Sequence, residues 1–111
     1  MKDDRIYLQH IRDAISRIVS YTAGGREAFL ATPQAQDAVI RNLEIIGEAV
    51  KHLSPDLRQQ HPDIPWKQIA GMRDEMIHEY FGVDVAIVWK VVERHLPTLR
   101  QTIESLLRQA D

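Results

Sequence analysis

Apolar residues recur at spacings of three and four along most of the chain, and no stretch shows the period of two that a half-buried strand requires. Leu8, Ile11, Ile15 and Ile18 predict a first helix with Asp3 or Asp4 as its N-cap, ending near Tyr21 before the break signal Thr22-Ala-Gly-Gly25. Tyr7 and Tyr21 read as packing residues with a wet hydroxyl. Arg26 to Leu30 predicts one short helical turn. Thr32-Pro33 then starts a second main helix, threonine capping and proline at the first position, with Val39, Leu43, Ile46, Val50 and Leu53 as its stripe. Ile45 and Ala49 widen that stripe and predict contact with more than one neighbour. Asn42 lies beside the stripe and needs a partner, either Arg73 or a backbone group.

Ser54-Pro55 ends this helix, Asp56 to Gln60 predicts a short helical segment, and His61-Pro-Asp-Ile-Pro65 is a loop of turn formers. Pro65 starts a third main helix anchored in the core by Trp66. Gly82-Val83-Asp84 stops it and supplies the cap for the next. The last helix spans about Val85 to Arg108, with Val85, Val88, Val92, Leu96, Leu99, Ile103 and Leu106 on one face and a kink at Pro97. The prediction is an all-α, up-and-down bundle of four to five helices, residues 1–111 forming one domain with a kinked last helix.

Composition narrows what such a bundle can do. The net charge of −2 argues against coating nucleic acid through bulk electrostatics, although ten of the fourteen cations are arginine. Any nucleic-acid contact must therefore be local. The chain has no cysteine, which removes disulfides and thiolate metal sites. No apolar run approaches the roughly 18 residues of a membrane span, and MKDDRIYLQH lacks the apolar core of a signal peptide. A cytoplasmic location is expected.

One stretch departs from the generic pattern: GMRDEMIHEYFGVD, Gly71 to Asp84. At about 100° per residue, Met72, Met76, Ile77 and Tyr80 share a broad apolar side with Ile69, and Arg73 falls near its middle. A guanidinium there needs a carboxylate, a phosphate or solvent to answer it. His78 falls on the opposite side, one turn after Asp74 and close to Gly71. On a straight helix Arg73 and His78 stand about 140° apart. They converge only if the helix is irregular or a twofold partner supplies the second set.

Other chemistries lack their residues. His78-Glu79 would begin a zinc-protease motif, but Gly82 stands where the second histidine belongs. His10, His52, His61, His78 and His95 have no ligand-like spacing, so no metal is expected. The glycines match neither nucleotide fingerprint, Ser16, Ser20, Ser54 and Ser105 have no nucleophile context, and no cofactor is predicted. Arg73, Asp74, His78 and Tyr80 remain. Histidine moves protons near neutral pH, an arginine neutralises a phosphate gaining charge, and Asp74 can orient the His78 ring. Those parts are enough for metal-free RNA cleavage, in which the ribose 2′-hydroxyl attacks the adjacent phosphate.

RDEMIH, Arg73 to His78, resembles the Arg-x4-6-His motif of the HEPN superfamily, and RDEMIHEYF resembles the Arg-x4-His-x-Tyr signature of the HepT-like toxins. AVIRNLEIIGEA, IPWKQIAGMRD and VDVAIVWKVVERHLPTL are similar to the same family's pattern, so the likeness covers nearly the whole chain. The short motif is common by chance; the set in this order is specific. The resemblance implies a HEPN-like bundle that forms a homodimer with two motifs around a shared cleft. It implies a metal-independent RNA endonuclease toxin, with Arg73 and His78 as the catalytic pair and Asp74 in support. It also implies a cognate MntA-like nucleotidyltransferase antitoxin that transfers AMP from ATP to Tyr80.

Taken singly, these residues have plainer readings. His78 is a surface histidine, Tyr80 a core residue, and Arg73 a structural ion pair with Glu44 or Glu48. Arg41, Glu44 and Glu48 read as a solvated face, with Arg41, Asn42 and Glu48 as possible supporting residues of the site. Asp74, Glu75, Glu79 and Asp84 crowd the motif with negative charge, which arginines from elsewhere, such as Arg41, must offset for RNA to bind. The alternative function is a non-catalytic helical module that docks the nucleotidyltransferase and its nucleotide.

Overall fold

The computed structural model describes the backbone of residues 2–78 and 84–109, and within it the side chains of residues 4–72 and 84–109. The described residues form seven helices and no strand: α1 (Lys2–Tyr21), α2 (Arg26–Ala31), α3 (Pro33–Lys51), α4 (Pro55–Gln59), α5 (Trp66–His78), α6 (Val85–Arg94) and α7 (Leu96–Gln109). The all-α reading holds. The extra helices are the two short segments the sequence marks and the last helix divided in two. Among the described residues no helix is long and apolar enough to cross a membrane.

α3 is the centre of the bundle and packs most extensively on α1 and α5. Its predicted stripe is buried together with Ala35, Ile40, Gly47 and Ala49, so α3 has more than one covered face. α1 lies antiparallel to it. Asp4 reaches Ser54, Tyr7 stacks on His52 and Arg17 reaches Asn42, so positions descend on α3 as they rise on α1. Leu8, Ile11, Ile15 and Ile18 of α1 are all buried, as are Val88, Val92, Leu96, Leu99, Ile103 and Leu106 of α6 and α7. Each such side chain contributes about 1.5–3 kcal/mol through removal of apolar surface from water.

Several ends differ from expectation in instructive ways. α1 already includes Asp3 and Asp4, so neither is its N-cap. Asp4 is instead buried, accepting hydrogen bonds from Ser54 N (2.7 Å) and Ser54 Oγ (2.7 Å). Ser54 Oγ in turn caps α4 by accepting from Leu57 N. The Thr32 hydroxyl does not cap α3; it donates back to Ala28 O, and Gln36 Nε2 donates to Phe29 O and Leu30 O. The end of α2 thus takes the side chains that the start of α3 was expected to use. Gly25 precedes α2 with φ 91°, a left-handed value that a Cβ disfavours. Phe29 of α2 is fully buried and its ring lies 5.5 Å from that of Trp89, which ties α2 to α6.

The kink expected at Pro97 takes the form of a break at His95, between α6 and α7. Proline then occupies the second position of α7, where a missing N–H costs nothing. His95 N still donates to Val91 O and Leu99 N to His95 O, so the chain turns with little loss of hydrogen bonding.

The Asp4–Ser54 clamp yields a test. Asp4→Ala leaves the half-buried Ser54 amide and hydroxyl without their buried acceptor and should cost about 1.5–3 kcal/mol. A urea titration followed by circular dichroism measures it; an unchanged midpoint would mean that the clamp adds no stability.

Candidate functional site

α5 carries the candidate motif on its last turns and is held at its other end. Trp66 and Ile69 are buried, and the Trp66 indole Nε1 donates to Arg58 O (3.1 Å) and His61 O (3.0 Å). Those two hydrogen bonds, one to α4 and one to the α4–α5 connection, fix where α5 starts, and packing on α3 fixes its direction. Pro65 precedes the first residue of α5 and its carbonyl accepts from Ile69 N. Asp84 caps α6 by accepting from Ala86 N (2.9 Å), as expected of it.

Arg73, Asp74 and His78 all sit on the helical backbone of α5, which continues unbroken to His78. Positions 73 and 78 are therefore about 140° apart around one axis, and positions 74 and 78 are one turn apart. Their side chains, and Tyr80 altogether, lie outside the described residues. Gly71, about two turns before His78 and near it around the axis, is exposed, and a Cβ placed there would meet nothing within 4 Å among the described residues.

The residues proposed in support are on α3. Asn42 is buried; its Oδ1 accepts from Arg17 Nε (2.7 Å) and its Nδ2 donates to Ala38 O (2.8 Å). Of the two partners suggested for Asn42, the backbone group is present, and Arg17 of α1 is a partner not foreseen; the Arg73 side chain lies outside the described residues. Arg41 is largely exposed and touches Glu44 at 3.4 Å, and Glu48 lies 3.4 Å from His52 Nε2.

Arg41, Glu44, Glu48 and His52 line a cleft of about 340 Å³ between α3 and α1, whose other wall is Tyr7 and His10. Tyr7 and His52 are stacked, with ring centroids 4.8 Å apart and planes at 11°, and His10 meets Tyr7 edge-on at 6.0 Å. Arg17, Tyr7, His10 and His52 carried no functional reading in the sequence. The antiparallel register of α1 and α3 brings Tyr7 and His10 to His52 and, farther along, Arg17 to Asn42; the pairing signal for the last was Asn42 itself, a buried amide without a local answer for its oxygen. Among the described residues no group of three or more His, Asp or Glu could hold a metal ion.

The model of the ribonuclease HepT-like family matches residues 11–106, and the chain belongs to that family. A Thermococcus cleftensis protein named probable ribonuclease HepT is 48% identical over 101 residues, covering 90% of this chain and 92% of its own. A candidate RNase of Caldanaerobacter subterraneus is 42% identical over 110 residues, which is 98% of each chain. A Methanocaldococcus jannaschii protein named as a gamma-glutamylcyclotransferase and candidate RNase is 44% identical over 111 residues, and this chain spans 50% of its length. No solved structure matches.

The open surface at Gly71 makes a prediction. Gly71→Ala should raise stability by about 0.5–1 kcal/mol, because it lowers the entropy of the unfolded chain and meets no neighbour. Thermal unfolding reads the gain; a loss of stability would show that the space above Gly71 is occupied in the folded protein.

Proposed function

We propose that the chain is a metal-independent RNA endonuclease and the toxin of a toxin–antitoxin pair. The observation that carries this reading is Arg73, Asp74 and His78 on consecutive turns of α5, in a chain whose match to the ribonuclease HepT-like family runs from residue 11 to residue 106. His78 takes the proton of a ribose 2′-hydroxyl, and the freed oxygen attacks the adjacent phosphorus. The bond to the 5′-oxygen breaks and that oxygen takes up a proton in place of the one given to His78, leaving a 2′,3′-cyclic phosphate and a 5′-hydroxyl. Arg73 neutralises the charge that gathers on the phosphate, and Asp74 holds the His78 ring one turn away. DNA has no 2′-hydroxyl and is not a substrate.

The helical path of α5 supports a homodimer. With positions 73 and 78 about 140° apart on one straight helix, a single protomer does not bring both to one phosphate, whereas two motifs related by a twofold axis can. The antitoxin is a small nucleotidyltransferase of the MntA type that uses ATP to modify Tyr80. The Tyr80 hydroxyl attacks the α-phosphorus, pyrophosphate leaves, and the phenol loses its proton. An anionic nucleotide two residues beyond His78 then fills the space between the two motifs of the dimer and repels RNA.

The purified chain should cut single-stranded RNA in the presence of EDTA and leave cyclic-phosphate ends. Arg73→Ala and His78→Ala should each lower the rate by about 10²–10⁴-fold. A chain that folds but cuts no RNA would favour the non-catalytic docking module instead. For the partner, incubation with the nucleotidyltransferase and ATP should add AMP to the wild type but not to Tyr80→Phe, as read by intact mass.

A further inference from the structure

Among the described residues, the cleft between α1 and α3 is lined by a combination of groups that have no part in the catalysis proposed for α5. We propose that it is part of an RNA-binding subsite, in which Arg41 on its wall and Arg17 beyond it, bonded to Asn42 of α3, hold backbone phosphates and the Tyr7–His52 stack receives a base. The proposal rests on the RNA-cleaving reading above and adds to it the surface that guides the substrate.

Arg17 is the chief reason. It is exposed, yet its Nε donates to Asn42 Oδ1 at 2.7 Å, and Asn42 is itself buried and tied to Ala38 O. A surface arginine ordinarily samples many rotamers and loses that freedom when it binds. Here the bond to a buried, fixed amide has already removed much of it. Because Nε is the atom engaged, both Nη nitrogens remain for the paired contact that suits a phosphate. Arg41 follows from position: it neighbours Asn42 on α3 and lines the cleft, with its side chain 70% exposed.

The aromatic end of the cleft complements these cations. His52 is half exposed on the Tyr7 stack, so its outer face can take one more ring. Bases of single-stranded RNA bind this way on aromatic side chains and do so without strict sequence preference. From Asn42 to His52 the distance along α3 is about 15 Å, enough for a few nucleotides.

Two carboxylates share the cleft and must be answered. Glu48 lies beside His52, and Glu44 makes one contact of 3.4 Å with the exposed Arg41, a weak link that a phosphate can replace. The mixed charge would also suit a second copy of this chain. A concave cleft set against its twofold copy encloses a hollow, however, while a narrow strand fills it. The cleft also resolves a difficulty of charge: with a net of −2 and four acids between Asp74 and Asp84, RNA needs local cations away from the motif.

The test is fluorescence anisotropy with a labelled single-stranded RNA, using the full chain carrying His78→Ala so that the probe survives. Arg17→Ala and Arg41→Ala should each weaken binding about tenfold and lower the slope of log affinity against log salt by about 0.7. Arg17→Lys keeps the charge but loses the fork, and should weaken binding with the slope preserved. Glu44→Gln frees Arg41 and should tighten binding a few-fold. His52→Ala should weaken it without changing the salt slope. If both arginine variants bind with unchanged affinity and slope while the His78-intact chain still cuts RNA, the subsite is wrong and the nuclease reading stands. If the unmodified chain neither binds nor cuts RNA, both fall. If the arginine variants and Glu44→Gln instead lower the mass in light scattering, the cleft is a contact between copies and the proposal is overturned.

Discussion

α3 is buried between α1 and α5, and a helix in that position has little freedom in sequence or register. Its covered surface extends well beyond one stripe, from Val39 and Ile40 round to Ala49 and Val50, and the small Gly47 is among the buried residues. Both neighbours take their places from it. α5, which bears Arg73, Asp74 and His78, is packed along α3 and held at its first turn by the two bonds of the Trp66 indole. α1 is set against α3 by apolar packing and by two polar pins, Asp4 on Ser54 and Arg17 on Asn42. Without α3 in the middle neither the motif helix nor the cleft would have a fixed direction.

The two pins differ in what they do. Asp4 is a buried charge, and burial costs several kcal/mol unless hydrogen bonds replace the lost water. Two short bonds from Ser54 do so at the point where α3 gives way to α4, so the carboxylate marks the end of α3 and sets the register of α1. At Asn42 the amide is the buried member and the guanidinium is outside. The bond satisfies the amide oxygen and, on the other side, holds a cation at the surface. Structural need and surface chemistry meet in one contact.

The helices were legible because their apolar residues keep helical spacing, and the stripes on α1, α3, α6 and α7 are buried almost without exception. The division at His95 was half legible: Pro97 announces a disturbance, but only packing decides whether a helix bends or restarts. Caps were read less well. Asp4 and Thr32 have side chains that cap well, yet each found a better partner, Ser54 across the bundle and Ala28 one turn back. Local preference lost to tertiary geometry in both cases. For the candidate site, the motif was suggested by its spacing and by likeness to a family, and its side chains lie outside the described residues. Arg17, His10 and His52 were not legible, since nothing near them in sequence is unusual. Their meaning depends on a helix pairing that the chain states only through one buried asparagine.

This division between motif and cleft has a physical logic. A histidine that withdraws a proton is served by a carboxylate close by, and the same carboxylate repels a polyanion. On the proposed reading, the cations that attract RNA stand on α1 and α3 and the acids stand beside the histidine on α5, which separates two demands that conflict within one turn of helix. α3 then links them mechanically, because it is packed against both. A chain with a net charge of −2 can handle a polyanion under that arrangement, provided its few exposed arginines are oriented rather than merely numerous. The Arg17–Asn42 bond is where the fold supplies such orientation.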